Sequence, residues 1–350
     1  GFLINTGSAV TVTLPASPAT GAEVIIVDQT GQAATNNITL GRNGSKIRGE
    51  CQDAKMIINR GGLRLVYSGS SQGWVTATAG NDATASQAQF TTATGGTITT
   101  SGDFKIHTFT SDANFVVSQA GNAEGGGEKV SYIVVAGGGG SGRYYGGGGG
   151  AGGYREGKFS SDTYTASPLA ATPCSGLTIT AQTYPITVGG GGATGCGSAP
   201  YTAGVNGVNS VFSTITSAGG GGGAGGLSVH DPAKAGGSGG GGHYPSPAHS
   251  GSETGGAGNT PPVSPPQGNP GTTTPAPAWA GGGGGATSTG PVRVGGAGAT
   301  SSITGSPVGR AGGGSGGPQP GTGSPQPGAA GSSEGGGAYN TNGTANTGGG

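Results

Sequence analysis

The chain has 350 residues, of which 87 are glycine and 22 proline, and its 14 basic residues balance 14 acidic ones to a net charge of zero. Glycine at this density excludes an ordinary side-chain core over much of the length, and neutrality removes the attraction expected for nucleic acid or an acidic membrane surface. Only 8% of residues are charged, so solubility rests on exposed peptide groups, Ser, Thr and Asn, which suits an extracellular or particle-bound structural protein better than a cytosolic enzyme.

Residues 1–79 predict an all-β module. Val10–Leu14 alternates apolar and polar side chains until Pro15 and Pro18 stop it, and Val24–Val27 is a β-branched run of strand length. Ile38–Leu40, Met56–Ile58, Arg64–Tyr67 and Gly73–Val75 read as further strands, with Arg42–Ser45 as a tight turn. Helical periodicity is absent from this stretch. Its few large apolar residues suit a module completed by neighbouring chains. Residues 80–100, mostly Ala, Thr, Gln, Asn and Gly, read as a linker. Residues 101–135 then supply three strands, Asp103–Phe109, Asn114–Val117 and Lys129–Val135, expected to pair as a meander that leads into the first glycine run.

From Ala136 to Gly350 the sequence keeps returning to glycine: Gly137–Gly140, Gly146–Gly150, Gly219–Gly223, Gly239–Gly242 and Gly281–Gly285. Without a Cβ, such runs can adopt the extended threefold polyglycine II helix, which rises about 3.1 Å per residue and has no internal hydrogen bonds. Its amides point outward in three directions, so runs laid side by side can bond one another, and an inward side chain would hold them apart. Ordering glycine is costly, and only a bundle with most inner amides paired, at about 1 kcal/mol net per bond, would offset it. The fold expected is therefore all-β N-terminal modules followed by a polyglycine II bundle over residues 136–350, with little or no α-helix. Runs centre near Gly138, Gly148, Gly190, Gly221, Gly240, Gly256, Gly283, Gly296, Gly314 and Gly336, and connectors rich in proline and aromatics gather at the bundle ends: Arg143–Tyr145, Ser198–Tyr201, Val229–Pro232, His243–Pro247, Thr260–Trp279 and Pro318–Pro327. Lys158-Phe159 and Ile186–Val188 are expected to extend the sheet of residues 101–135, with Arg155 and Glu156 paired to brace the hairpin base.

Tyr132–Ala136 followed by Gly137–Gly140, the stretch Gly146–Gly153, Tyr154–Gly157, Tyr184–Val188 before its glycines, and Asn209–Ser213 leading to Ala218 resemble the glycine-rich domain of bacteriophage tail-fibre proteins. Val10–Leu14 and Asn36–Gly44 resemble β modules of trimeric tail fibres. The resemblance implies a distal fibre segment in the virion tail, homotrimeric, joined to other tail proteins through a missing N-terminal part. Its partner would be a bacterial cell-surface glycan or an outer-membrane protein, bound by loops displayed on the bundle.

The connectors supply the candidate receptor-binding residues: Tyr144, Tyr145, Tyr201, His230, Asp231, His243, Tyr244 and Trp279. Tyr and Trp offer flat apolar faces with a polar edge at low entropic cost, on which sugar rings or protein loops stack. The competing reading is that these rings only cap the bundle ends. No catalytic residue, metal ligand or cofactor site is nominated, since the acidic residues are scattered and no His spacing suits a tetrahedral site. Glycine-rich nucleotide motifs lack their strand–helix context. Cys174 and Cys196 are the candidate disulfide, with Cys51 read as buried and inert. No stretch reaches about 18 consecutive apolar residues, the length of a membrane-spanning helix. The start at Gly1-Phe2, without methionine, reads as a fragment or processed product. An extracellular structural or ice-binding polyglycine protein is the alternative function; that role would need a flat, regular face.

Overall fold

A computed structural model describes residues 1–79, 90–122, 127–159, 161–171, 175–196, 201–226, 231–244, 253–274, 279–317, 331–338 and 341–350. These residues contain strands and extended segments and no helix, as the sequence led us to expect. Packing divides the chain into two compact units, one of residues 1–88 and 159–163, the other of residues 89–158 and 164–350.

The first unit holds β1 (Phe2–Ile4), β2 (Val10–Thr13), β3 (Glu23–Asp28), β4 (Ile38–Gly41), β5 (Ala54–Met56), β6 (Gly62–Tyr67) and β7 (Trp74–Ala79). They form a four-stranded sheet in the order β1-β3-β6-β7 and a three-stranded sheet in the order β2-β4-β5. Successive side chains of a strand face opposite sides, so Val24, Ile26 and Asp28 of β3 are buried whereas Ile25 is exposed. Val12, Leu14, Ile38, Leu40, Leu65 and Trp74 complete the core around Ile26. Asp28 lies among these apolar residues because its carboxylate is fully engaged. It accepts from Thr6 Oγ1 at 2.7 Å and from the backbone N–H of Gly31, Ala33 and Arg60 at 2.9, 3.1 and 3.0 Å. Burial pushes its pKa up, but these hydrogen bonds outweigh that effect and hold it well below the ordinary carboxylate value.

In the second unit, β8 (Thr92–Thr94) and β9 (Thr97–Ser101) occupy part of the segment read as linker, while residues 80–89 lie outside the described residues. β10 (Phe104–Thr108) pairs with β9, whereas β11 (Ala113–Gln119) pairs with β8. β12 (Lys129–Val130) and β13 (Tyr132–Val135) follow, then β14 (Tyr154–Gly157), β15 (Ala170–Ala171), β16 (Leu177–Thr178), β17 (Thr183–Thr187), β18 (Ser210–Phe212), β19 (Ile215–Ser217), β20 (Ala299–Ser301) and β21 (Val308–Arg310). The expected three-strand meander does not form. β10 closes locally on β9, β11 lies between β8 and β17, and β13 pairs with β14. Phe115 explains the order: its ring meets Phe109, Tyr184 and Phe212 at centroid distances of 6.1–6.4 Å, which draws β17 and β18 beside β11. β17 thus extends the sheet of β11 as expected, but β14 ends at Gly157, before Lys158 and Phe159.

Beyond β13 the chain becomes a hydrogen-bonded array of glycine runs. Residues 146–153 lie inside it. The N–H groups of Gly147, Gly150 and Gly153 donate to the carbonyls of Ala224, Gly221 and Ala218, whereas those of Gly148 and Ala151 donate to Gly281 and Gly284. Carbonyls keep the same spacing: Gly147, Gly150 and Gly153 accept from Gly142, Gly139 and Ala136, Gly148 and Ala151 accept from Gly241 and Ser238, and Gly146 and Gly149 accept from Gly317 and Gly314. Every third residue therefore faces the same neighbour, with both parallel and antiparallel pairs. A Cβ at Gly147, Gly148, Gly149, Gly150 or Gly152 would come closer than 3.0 Å to a neighbouring carbonyl, so no other residue fits. At the periphery, Asn206 and Asn209 substitute side-chain amides for backbone, accepting from Gly222 and Gly219 N–H at 2.9 Å.

The array meets the β layer around Tyr154, packed with Ala151, Ala286, Ala299 and Ala311. Glu156, also buried, accepts from Tyr154 Oη at 2.9 Å, Ser167 N–H at 2.9 Å and Ser301 Oγ at 2.8 Å. The expected Arg155–Glu156 pair does not form, because neighbours on a strand point to opposite faces. Gln267 plugs the same end: its Oε1 accepts from Ala218 N–H at 2.8 Å and its Nε2 donates to the Pro261 carbonyl at 2.9 Å. Residues 260–279 are accordingly not one connector, since 269–272 bond Gly239, Gly242 and Gly256 as a further run.

Candidate functional site

At the other end of residues 146–153 the chain turns sharply. Gly142 N–H bonds the Gly147 carbonyl at 2.9 Å, leaving Arg143, Tyr144 and Tyr145 at the turn. Tyr144 and Tyr145 both adopt the left-handed region, with φ of 57° and 58°, a conformation costing roughly 1–2 kcal/mol for a residue with a Cβ. Consecutive left-handed tyrosines persist only where surrounding contacts fix them, and such sites cluster at ligand-binding surfaces.

Those contacts come from separate runs. Arg143 N–H donates to the Thr202 carbonyl, and Gly226 N–H donates to the Arg143 carbonyl. Tyr244 N–H donates to the Tyr145 carbonyl at 3.2 Å, and His243 Nε2 lies 3.1 Å from the Tyr144 carbonyl. Thr274 Oγ1 in turn donates to the His243 carbonyl at 2.8 Å. Asp231 forms a two-way backbone bridge with Gly225, and its carboxylate accepts from Ala203 N–H at 2.8 Å.

The aromatic candidates form one chain of rings. Tyr201 stacks on Tyr144 at 4.5 Å with planes 26° apart, Tyr144 meets Tyr145 edge-on at 4.6 Å, and Tyr145 meets Tyr244 at 6.4 Å. Their roles differ. His243 and Tyr244 are buried, at 3% and 8% exposure, and brace the turn; Tyr144 is 36% exposed, the most open of these rings. Trp279 is half-buried with the Arg293 guanidinium 4.3 Å above its ring, so that face is occupied. Arg293 was not singled out by the sequence, because its partner lies 14 positions away with nothing local to mark the pairing.

The structure thus brings Tyr144, Tyr145, Tyr201, Asp231, His243 and Tyr244 to one end of the array, with Trp279 two residues before Gly281, which bonds Gly242 and Gly148 there. His230 and Cys174 lie outside the described residues. Cys51 is disulfide-bonded, which corrects its reading as an inert thiol. Cys196 is an exposed thiol, so the Cys174–Cys196 bridge suggested by nearness in sequence is not formed. An odd number of cysteines leaves one outside any intramolecular pairing, and sequence distance did not identify which.

No curated protein matches the chain. A family model described as a glycine-rich domain matches residues 118–350, about two thirds of the sequence, and covers both the glycine array and its tyrosine-bearing end. The chain belongs to this glycine-rich domain family.

Proposed function

We propose that residues 136–350 form a polyglycine II bundle whose tyrosine-bearing end binds the surface of a bacterial host, as the distal part of a bacteriophage tail fibre. The carrying observation is the convergence of Tyr144, Tyr145, Tyr201 and Tyr244 at one end of a backbone lattice. The threefold spacing of amide bonds along residues 146–153 supports the bundle. A rigid scaffold with pre-set aromatic rings loses little entropy on binding, as a recognition surface requires. On this reading the protein acts by non-covalent adhesion, the chain is one protomer of a homotrimer in the virion tail, and a bacterial glycan or outer-membrane protein is its partner.

Labelled protein incubated with a panel of intact bacteria tests the proposal. Saturable binding to some strains, lost in Tyr144→Ala with unchanged melting, supports it. Absence of binding to every strain, or binding indifferent to Tyr144, overturns it. Ice-recrystallisation inhibition in place of cell binding would favour the structural alternative.

A further inference from the structure

The tyrosine end carries a cation, Arg143, next in the chain to its exposed ring, and this narrows the chemistry of what binds there. Arg143 is exposed and its backbone is fixed on both sides, by the Thr202 carbonyl and by Gly226 N–H. Among the described residues its guanidinium takes part in no ion pair; the pair found is Arg64–Glu23, in the other unit. Of the carboxylate residues at this end among the described residues, Asp231 accepts from Ala203 N–H, and Glu253 is paired through its backbone with Thr274. Tyr144 is the exposed ring, stiffened from behind by Tyr201, while Arg293 covers Trp279.

Resting on the surface-binding reading, we propose that this end takes an acidic saccharide: a sugar ring lies against Tyr144, and the anionic group of the same or the next sugar is held by Arg143. The apolar CH face of a pyranose matches a flat aromatic ring whose edge carries a hydroxyl. A planar guanidinium with a rigid fork of donors matches the two oxygens of a carboxylate, and equally a phosphate. A protein ligand would call for a wider apolar patch, since binding energy between proteins concentrates in clustered, fully desolvated anchors. Among the described residues, Tyr145 and Tyr244 support the turn, and Tyr144 is the most exposed ring of the tyrosine cluster.

The experiment uses the full chain and the strains that it binds. Surface polysaccharide from those strains is presented in three forms: native, carboxyl-reduced to convert uronic acids to neutral sugars, and dephosphorylated. The expected result is binding to the native form that weakens about ten-fold or more after one of the two treatments, and to the same extent in Arg143→Gln, with Arg143→Lys intermediate. Carboxyl reduction identifies a uronic acid as the source of the anion, dephosphorylation a sugar phosphate. Equal binding to all three forms, or no effect of Arg143→Gln, overturns the acidic-sugar proposal and leaves adhesion standing. Adhesion abolished by protease treatment of the cells, without binding to any polysaccharide, also overturns it and assigns a protein ligand. No adhesion to any strain removes both readings.

Discussion

Gly150→Ala tests the backbone lattice directly. Gly150 donates to Gly221 at 2.8 Å and accepts from Gly139 at 2.8 Å, and a Cβ placed on it would lie 2.5 Å from the Gly239 carbonyl oxygen and 2.6 Å from its carbon. Ordinary contact begins near 3.4 Å, so the segment at 238–241 must retreat by roughly 1 Å. That segment is tied to residues 146–153 by Ser238 N–H to Ala151 and Gly241 N–H to Gly148, at 3.0 and 2.9 Å. Losing two or three such bonds, at about 1–3 kcal/mol for each buried group left unsatisfied, outweighs the gain of about 0.4–1 kcal/mol from a stiffer unfolded chain. The expected net loss is about 3–5 kcal/mol, or roughly 10 °C in melting temperature. Gly190→Ala is the matched control, because a Cβ there meets nothing within 4 Å; this variant should melt at or slightly above the parent. Differential scanning calorimetry of the two variants decides the matter. Equal melting temperatures would refute the claim that glycine is retained inside the array because no Cβ fits.

Asp28 has a depressed pKa in the folded state, so its contribution is present above the ordinary value of 3.8 and declines as pH falls from there toward the folded value; Asp28→Asn should flatten the acid unfolding of the first unit, followed through the buried Trp74. Glu156→Ala should cost about 3 kcal/mol or more by orphaning the Ser167 amide and the Ser301 and Tyr154 hydroxyls, and faster hydrogen exchange at Ser167 N–H would register it. Tyr144→Gly removes the exposed ring but suits the positive φ of that position; thermal stability should hold within about 1 kcal/mol of the parent while cell adhesion falls, and a parallel loss of both would show the ring to be structural.

Where the chain is governed by side-chain alternation, the sequence was readable. β2, β3, β4 and β6 lie within two residues of their predicted spans. β1 escaped because three residues at a terminus show no alternation, and its strand character comes from pairing with β3. That Ile186–Val188 would join the sheet of residues 101–135 was legible, but its place directly beside β11 was not, because it is fixed by Phe115 meeting rings some 70 and 100 residues away. For the glycine runs, composition showed that a Cβ would be unwelcome, but not which run lies beside which: identical residues carry no address. At the tyrosine end, residue type pointed to the rings, while exposure divided them between an open Tyr144 and Tyr244 and His243 in support. Arg143 stood in a named connector, yet that it has no ion partner among the described residues is visible only in the fold.

The bonding of residues 146–153 gives the array a reading frame. In the proposed polyglycine II geometry, adding or removing one residue inside such a run would rotate every later amide by a third of a turn and send it toward the wrong neighbour. Length changes within the runs are therefore tolerated only in triplets. A turn such as 142–147 can then vary its side chains on a scaffold that stays in phase, provided its own ties to Thr202, Gly226 and Tyr244 are kept.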